Sequence, residues 1–469
     1  MKINSEKILN DFKSFIDSSK KISEEHLVSF CFPLENFDPL VIIDELNKNY
    51  DDIFFFRVPE NKYTVIGLNS ALELSSIKDQ NFISASEKIT YWKNKVQKNW
   101  TEINFSSTKI IFCSTKFDPL KSSERWRDFE PLRIYIPEFV IHHHNNQTTG
   151  FFNFVLNDDV DLESVSNRLL HYLKIIGEST SETIFDYELR VISKLTTEKE
   201  NLINWQDAFN NAMKFLNKGD VDKLVLSRIH SFTIDKSIDW TVLLRKLNKR
   251  FLDCYLFFIK RKTSVFFGSS PEMFLQVTEK KAEVESVAGS APRGERLDTD
   301  NHYEKALQSS EKNHQEHLFV SNFISEILIQ YSDNVRVIEE KQVRKLDNIQ
   351  HLITRITAEL DFKNNLFELI DSLFPTPAVC GVPKETAMRL IRELENYDRG
   401  LYSGLVGVMD FNGNCEFAVS IRSALVKDNI VNAFAGAGLV NTSNSDEEFM
   451  ETELKLNTIL SLFDNESKS

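Results

Sequence analysis

An Asn412-Gly413 pair separates two β-rich runs, GLYSGLVGVMDF (400–411) and EFAVSIRSALV (416–426), which reads as an antiparallel hairpin. Similar apolar strands recur at IIFCST (110–115), LRIYIPEFVI (132–141) and VDKLVLSRIH (221–230). Helical patterns are mixed among them without a regular βαβ rhythm. This predicts large, mainly antiparallel sheets covered by helices, an α+β fold. A long helix is expected from about Asp300 to Tyr331. The polar stretch around Glu182–Asn204 is the expected junction between an N-terminal part, 1–204, and a C-terminal part, 205–465.

The chain has 469 residues, enough to bury a large core. Its 70 acidic and 56 basic residues give a net charge of −14. That argues against a nucleic-acid binder, which needs a basic face, but allows a locally positive pocket for an anion. Five scattered cysteines (31, 113, 254, 380 and 415) form no C-x-x-C pair and imply no disulfide framework. No apolar leader and no long apolar run is present, so a reduced, cytoplasmic protein without a membrane partner is expected. The triple histidine His142–His144, followed by Asn145-Asn146, reads as an exposed hairpin end rather than a metal site.

Several segments carry chemistry. Strand alternation puts Lys223 on one face with Val221, Val225 and Ile229, either snorkelling from an edge or buried for a purpose. Glu272, in GSSPEMFL (268–275), follows a proline and reads alone as a turn residue. Gly289-Ser290, in ESVAGSAPRGE (285–295), forms an ordinary turn or lets backbone N–H groups approach a ligand. In SEKNHQEHLFVSNFISEIL (310–328), Glu316 shares an apolar helix face with Phe319, Val320, Phe323 and Ile327. A charge there needs a partner, and a metal ion is one. Glu311, Lys312 and Glu326 read as solvated charges, and His317 as a structural residue off the stripe.

Glu448, Glu451 and Lys455 share another helix face, in SNSDEEFMETELKLNTIL (443–460). Ser445-x-x-Glu448 fits a capping box, so Glu448 is either a cap or a support for a metal. Alternation in EFAVSIRSALV places Arg422 with Ala418, Ser420 and Ala424, a large cation with room above it. Arginine can grip a carboxylate with two parallel hydrogen bonds, or it can form a cross-strand ion pair. Gly436 in AFAGAGLV (433–440) could add a backbone N–H and Tyr402 a hydroxyl. His351 alone reads as a satisfied core histidine.

Together with FPTPAVCGVPKETA (374–387), these blocks resemble the chorismate-utilising enzymes and, within them, the isochorismate synthases. The resemblance is strong over about 205–462 and favours the menaquinone type over the siderophore type. A weaker match covers FDP (117–119), Trp126 and IPEFVI (136–141). There the family often has a Gly-Gly pair, where this chain has IFCSTKFDP.

The resemblance implies an anthranilate synthase component I-like fold: two large, mainly antiparallel sheets packed together, with helices outside. The N-terminal part would be family-specific and integrated with the core. The implied reaction is chorismate to isochorismate, with Lys223 activating water and Glu272 as the general acid. Desolvation lowers a lysine's pKa and raises a glutamate's, as those roles require. Glu316 and Glu451 would hold Mg²⁺, with Glu448 in a supporting position. Arg422, Tyr402 and Gly436 would bind the enolpyruvyl carboxylate, and Lys455 would lie near the ring carboxylate. Gly289, Ser290, His351, Ala378 and Val379 would complete the substrate site. Hard carboxylate oxygens suit Mg²⁺. A monomer without a glutaminase subunit is implied. The alternatives are a salicylate synthase, which would also eliminate pyruvate, an amination enzyme, and a non-catalytic chorismate-binding protein.

Overall fold

The computed structural model describes residues 3–19, 24–76, 81–100, 109–178, 191–195, 197–235, 237–360 and 366–463. Among the described residues, 20 strands form one hydrogen-bonded network. Their pairings are antiparallel except that of His26–Leu34 with Val96–Lys98. The expected two sheets are therefore two branches of one network, and they part at the strand Leu132–His144. The start of this strand pairs with Ile111–Thr115, and most of its length pairs with Tyr63–Glu73.

One branch continues from Ile111–Thr115 through Leu405–Met409, Cys415–Val419, Met273–Thr278, Lys281–Pro292 and Ile349–Glu359 to Val335–Lys345. The other continues from Tyr63–Glu73 through Asp52–Arg57, Tyr255–Arg261, Ser264–Ser270, Ser423–Lys427 and Ile430–Leu439 to Lys223–Ile234. Asp52–Arg57 reads DIFFFR because both its faces are covered. Phe54 and Phe56 enter one core, and Ile53 and Phe55 the other. A strand buried on both sides has no reason to alternate. Both cores combine residues from before and after the expected junction.

The boundary at 204/205 falls inside the helix Glu198–Lys218, which starts at a Thr197/Glu200 capping box and ends at Gly219 with φ 78°. Residues 182–190 and 196 of the expected junction lie outside the described residues. The helix expected from Asp300 to Tyr331 is two helices, Leu297–Ser309 and Glu311–Tyr331. Ser310 takes extended backbone between them, and its hydroxyl accepts from the Asn313 N–H at 3.3 Å. A serine offers the chain this local alternative to continuing a helix.

The hairpin read from Asn412-Gly413 forms, with Leu405–Met409 paired to Cys415–Val419. Asp410 Oδ1 accepts from the Asn412 and Asn414 N–H groups at 2.8 and 2.9 Å. His142–His144 also ends a hairpin, with Asn145 and Asn146 at φ 50° and 57°. His144 is exposed, but His142 is buried and stacked on Tyr63. The alternation of the strand turns it inward. All five cysteines are free thiols. Among the described residues no helix is long and apolar enough to cross a membrane.

Candidate active site

A cavity opens between the two branches. It is lined by Glu272, Gly289, Ser290, Glu316, His351, Ala378, Val379, Tyr402, Arg422, Gly436, Glu451 and Lys455. Segments nearly two hundred residues apart thus converge on one space. Lys223 and Glu448 flank it, each joined to a neighbouring charge.

Lys223 is fully buried at the start of its strand, and its Nζ lies 3.0 Å from Glu316 Oε1. Gly438, on the adjoining strand, makes this possible. A Cβ there would lie 2.2 Å from Glu316 Oε1 and 3.0 Å from Lys223 Cε. Glu316 thus gains a lysine partner, and Lys223 is no edge residue. Glu316 also sits near the edge of the buried helix face. That face centres on His317, Val320, Ile324 and Leu328, one residue round from the expected stripe. His317 is accordingly a packed structural residue, 2.7 Å from Thr354 Oγ1 and 3.3 Å from the Ala288 carbonyl.

Glu272 lies where a strand begins beside the cavity, only 3% exposed. Burial raises its carboxyl from the ordinary 4.5 to about 8, against the lowering charge of Lys223. It therefore keeps its proton at neutral pH, as a general acid must.

Arg422 is not in the middle of a strand. Pairing stops at Val419 and resumes at Ser423, and Arg422 takes the left-handed φ of 51°. The alternation argument fails across this break, yet the break aims the guanidinium into the cavity. A bulky residue in this region is strained, which is common at functional sites. Arg422 Nη2 lies 3.0 Å from His351 Nε2, and Nη1 lies 3.4 Å from Thr458 Oγ1. A guanidinium only donates, so His351 Nε2 is the acceptor and Nδ1 carries the hydrogen. Nδ1 faces Ser290 Oγ at 3.0 Å and the Gly289 carbonyl at 3.4 Å. Burial, then the charge of Arg422, holds the His351 pKa well below its usual value. Among the described residues no carboxylate forms an ion pair with Arg422, so the cross-strand pair is absent.

Tyr402 stacks on Phe434 at 5.2 Å, and Phe434 meets Trp126 at 5.8 Å. The N-terminal half thereby backs the site. Gly289 takes φ 79° at a strand irregularity opposite His351. Gly436 contributes its carbonyl, which accepts from Lys455 Nζ at 2.9 Å.

The acidic side holds Glu316, Glu448 and Glu451. Glu451 pairs with Lys455 at 2.7 Å, and Glu448 pairs with Lys312. Burial and the charge of Glu451 raise the Glu448 pKa, whereas Lys455 and Lys312 hold Glu451 down against its burial. Glu448 does not cap its helix. Asn444 does, accepting from the Asp446 and Glu447 N–H groups at 2.9 and 3.2 Å. Lys312, read as a solvated charge, is part of this cluster, and its pKa is raised by all three glutamates despite burial. Its position four residues before Glu316 was the available signal. Among the described residues no three His, Cys, Asp or Glu side chains are gathered as a formed metal site.

The family described as chorismate binding enzyme matches residues 13–464. The chain belongs to that family. It is 26% identical to the isochorismate synthase MenF of Bacillus subtilis (strain 168) over 460 residues, 97% of both chains. It is 32% identical to the salicylate biosynthesis isochorismate synthase of Pseudomonas aeruginosa, over 96% of this chain and 92% of that one. Its fold is similar to that of the menaquinone-specific isochorismate synthase MenF of Escherichia coli. The TM-score is 0.75 at 20% identity, covering 97% and 99% of the two chains. The family's anthranilate synthase component I-like architecture is the one described above.

Proposed function

We propose that the protein is an isochorismate synthase, converting chorismate to isochorismate. The observation that carries this reading is Glu272, buried so that its carboxyl pKa is raised to about 8, in a cavity that also presents Arg422, a buried cation with no carboxylate ion pair among the described residues. Chorismate is a dicarboxylate, and Arg422 is suited to its enolpyruvyl carboxylate. Tyr402 and the Gly436 strand border the same end, and Lys455 serves the ring carboxylate. Lys223 takes a proton from the water that attacks ring C2. The double bonds shift, and Glu272 gives its proton to the departing C4 hydroxyl. Water in and water out leave the atoms balanced, so the product is an isomer. Water is the nucleophile, which makes a glutaminase subunit unnecessary.

The acidic side fits Mg²⁺ through Glu316 and Glu451. They offer hard oxygens from separate helices, and this ion is commonly held by one or two carboxylates plus ligand oxygens. Glu448, beside them and paired with Lys312, adds negative charge to the side that would hold the ion. When bound, the ion would supply charge neutralisation for the ring carboxylate. The whole-chain similarity to MenF of Bacillus subtilis supports the menaquinone branch. Ala378 and Val379 face the ring position and favour isomerisation over pyruvate loss.

The test is incubation with chorismate and Mg²⁺, without ammonia, followed by chromatographic identification of products. Isochorismate without substantial salicylate is expected. Salicylate and pyruvate as the main products would move the assignment to the lyase.

A further inference from the structure

Glu272 hangs from a peptide that is held from behind. The carbonyl of Pro271, the residue before it, accepts from Arg344 Nη1 at 2.8 Å. Arg344 is itself fixed by Glu285 through a bidentate pair, Nη1 to Oε2 at 2.8 Å and Nη2 to Oε1 at 2.5 Å. Arg355 Nη2 adds a third bond to Glu285 Oε1 at 3.0 Å. Glu285 is buried, and Arg344 is about one-fifth exposed. Neither lines the cavity. The pair joins the strand Val335–Lys345 to Lys281–Pro292, and its free fork edge reaches the peptide that carries the acid.

We propose that Arg344, locked by Glu285, is a positioning residue for the proton donor: it fixes the Pro271–Glu272 peptide and so the direction in which the Glu272 carboxyl points. A planar fork held by two carboxylate bonds has little freedom, so its remaining N–H fixes the acceptor closely. The assignment rests on Glu272 being the acid of the proposed reaction.

The pair also sets the local field. Lys223, Lys455 and Arg422 face Glu272 as positive groups from three other elements, while Glu285 and Arg344 face it with opposite signs. Removing one partner therefore shifts the Glu272 proton in a direction that depends on which is removed. Without Arg344, the remaining Glu285 charge favours the protonated form. Without the Glu285 charge, the remaining Arg344 disfavours it.

The experiment is the pH profile of kcat for Arg344→Gln, Glu285→Gln and Arg344→Lys, beside Glu272→Gln, with folding checked by circular dichroism. Loss of alignment should lower kcat by up to about 10²-fold in Arg344→Gln, while KM for chorismate changes less than about twofold. The alkaline limb should move to higher pH in Arg344→Gln and to lower pH in Glu285→Gln. Arg344→Lys keeps the charge but not the fork, so kcat should fall while the limb stays near its place. If Glu272→Gln is inactive but the three variants keep both wild-type kcat and an unmoved limb, the positioning role is overturned. If Glu272→Gln itself keeps full activity, the acid assignment fails first. Should Arg344→Gln not fold, the limb shift in Glu285→Gln and the kcat loss in Arg344→Lys decide the question.

Discussion

The two charged sides of the cavity are built on opposite plans. At one, Arg422 is buried with a neutral histidine and a threonine for neighbours, and among the described residues no carboxylate pairs with it. At the other, three glutamates are each matched by a lysine: Glu316 by Lys223, Glu448 by Lys312 and Glu451 by Lys455. An unanswered buried cation is costly, so the Arg422 side is prepared for an incoming anion. The matched side is balanced in charge, though Lys223 Nζ and both Glu448 carboxylate oxygens are buried without a well-formed hydrogen bond, and it must exchange partners when a cation or substrate arrives. Binding should therefore depend chiefly on the first side, and metal dependence and chemistry on the second.

The sharpest way to break this comparison is to remove divalent metal. EDTA should stop turnover and Mg²⁺ should restore it. Full activity in thoroughly chelated buffer would show that the glutamate side works with its lysines alone. Next in size, Lys223→Ala and Glu272→Gln should each lower kcat by about 10²–10⁴-fold while the circular dichroism spectrum is kept. A near-normal rate in either variant removes that residue from proton transfer. At the other side, Arg422→Gln should lower kcat/KM by about 10–10²-fold, as expected for a lost charge-assisted hydrogen bond, mostly through KM. An unchanged KM would mean that the substrate anion is gripped elsewhere. Glu316→Gln or Glu451→Gln should raise the Mg²⁺ concentration needed for half-maximal rate while chorismate affinity at saturating metal changes less. Equal effects on both would erase the distinction between the sides.

The smallest effect concerns stability. Glu272 holds its proton to about pH 8 in the folded protein but releases it near 4.5 when unfolded. Between those values the folded chain binds the extra proton, so this contribution to stability is full below 4.5 and is lost as pH rises towards 8. Glu272→Gln should therefore raise Tm more at pH 8.5 than at pH 5. The same Tm difference at both pH values would contradict a raised carboxyl.

Much of this site was legible in the chain, and what was missed shares a cause. Lys223, Glu272, Arg422 and Glu451 stand in local motifs, and the structure brings the last three to one cavity with Lys223 buried beside it. The break at residues 420–422 was hidden because alternating apolar residues continue on either side of it. The turn at Ser310 was hidden because a capping serine also occurs within helices. The Arg344–Glu285 pair joins residues 59 apart, and Gly438 matters only because another strand and a helix meet over it. Periodicity reports which way a side chain faces within its own element. Partners across elements are set by sheet register, which here passes through a branched network that no single segment encodes.

Gly438 has a bearing on how related chains are read. Its missing methyl is the floor on which the Glu316 carboxylate rests. A homologue with any bulkier residue at this point cannot keep that carboxylate in the same pose, even if every acid and base in the motifs is retained. A position without a functional group thus belongs beside the reactive residues when such chains are compared, because it sets where one of the carboxylates can lie.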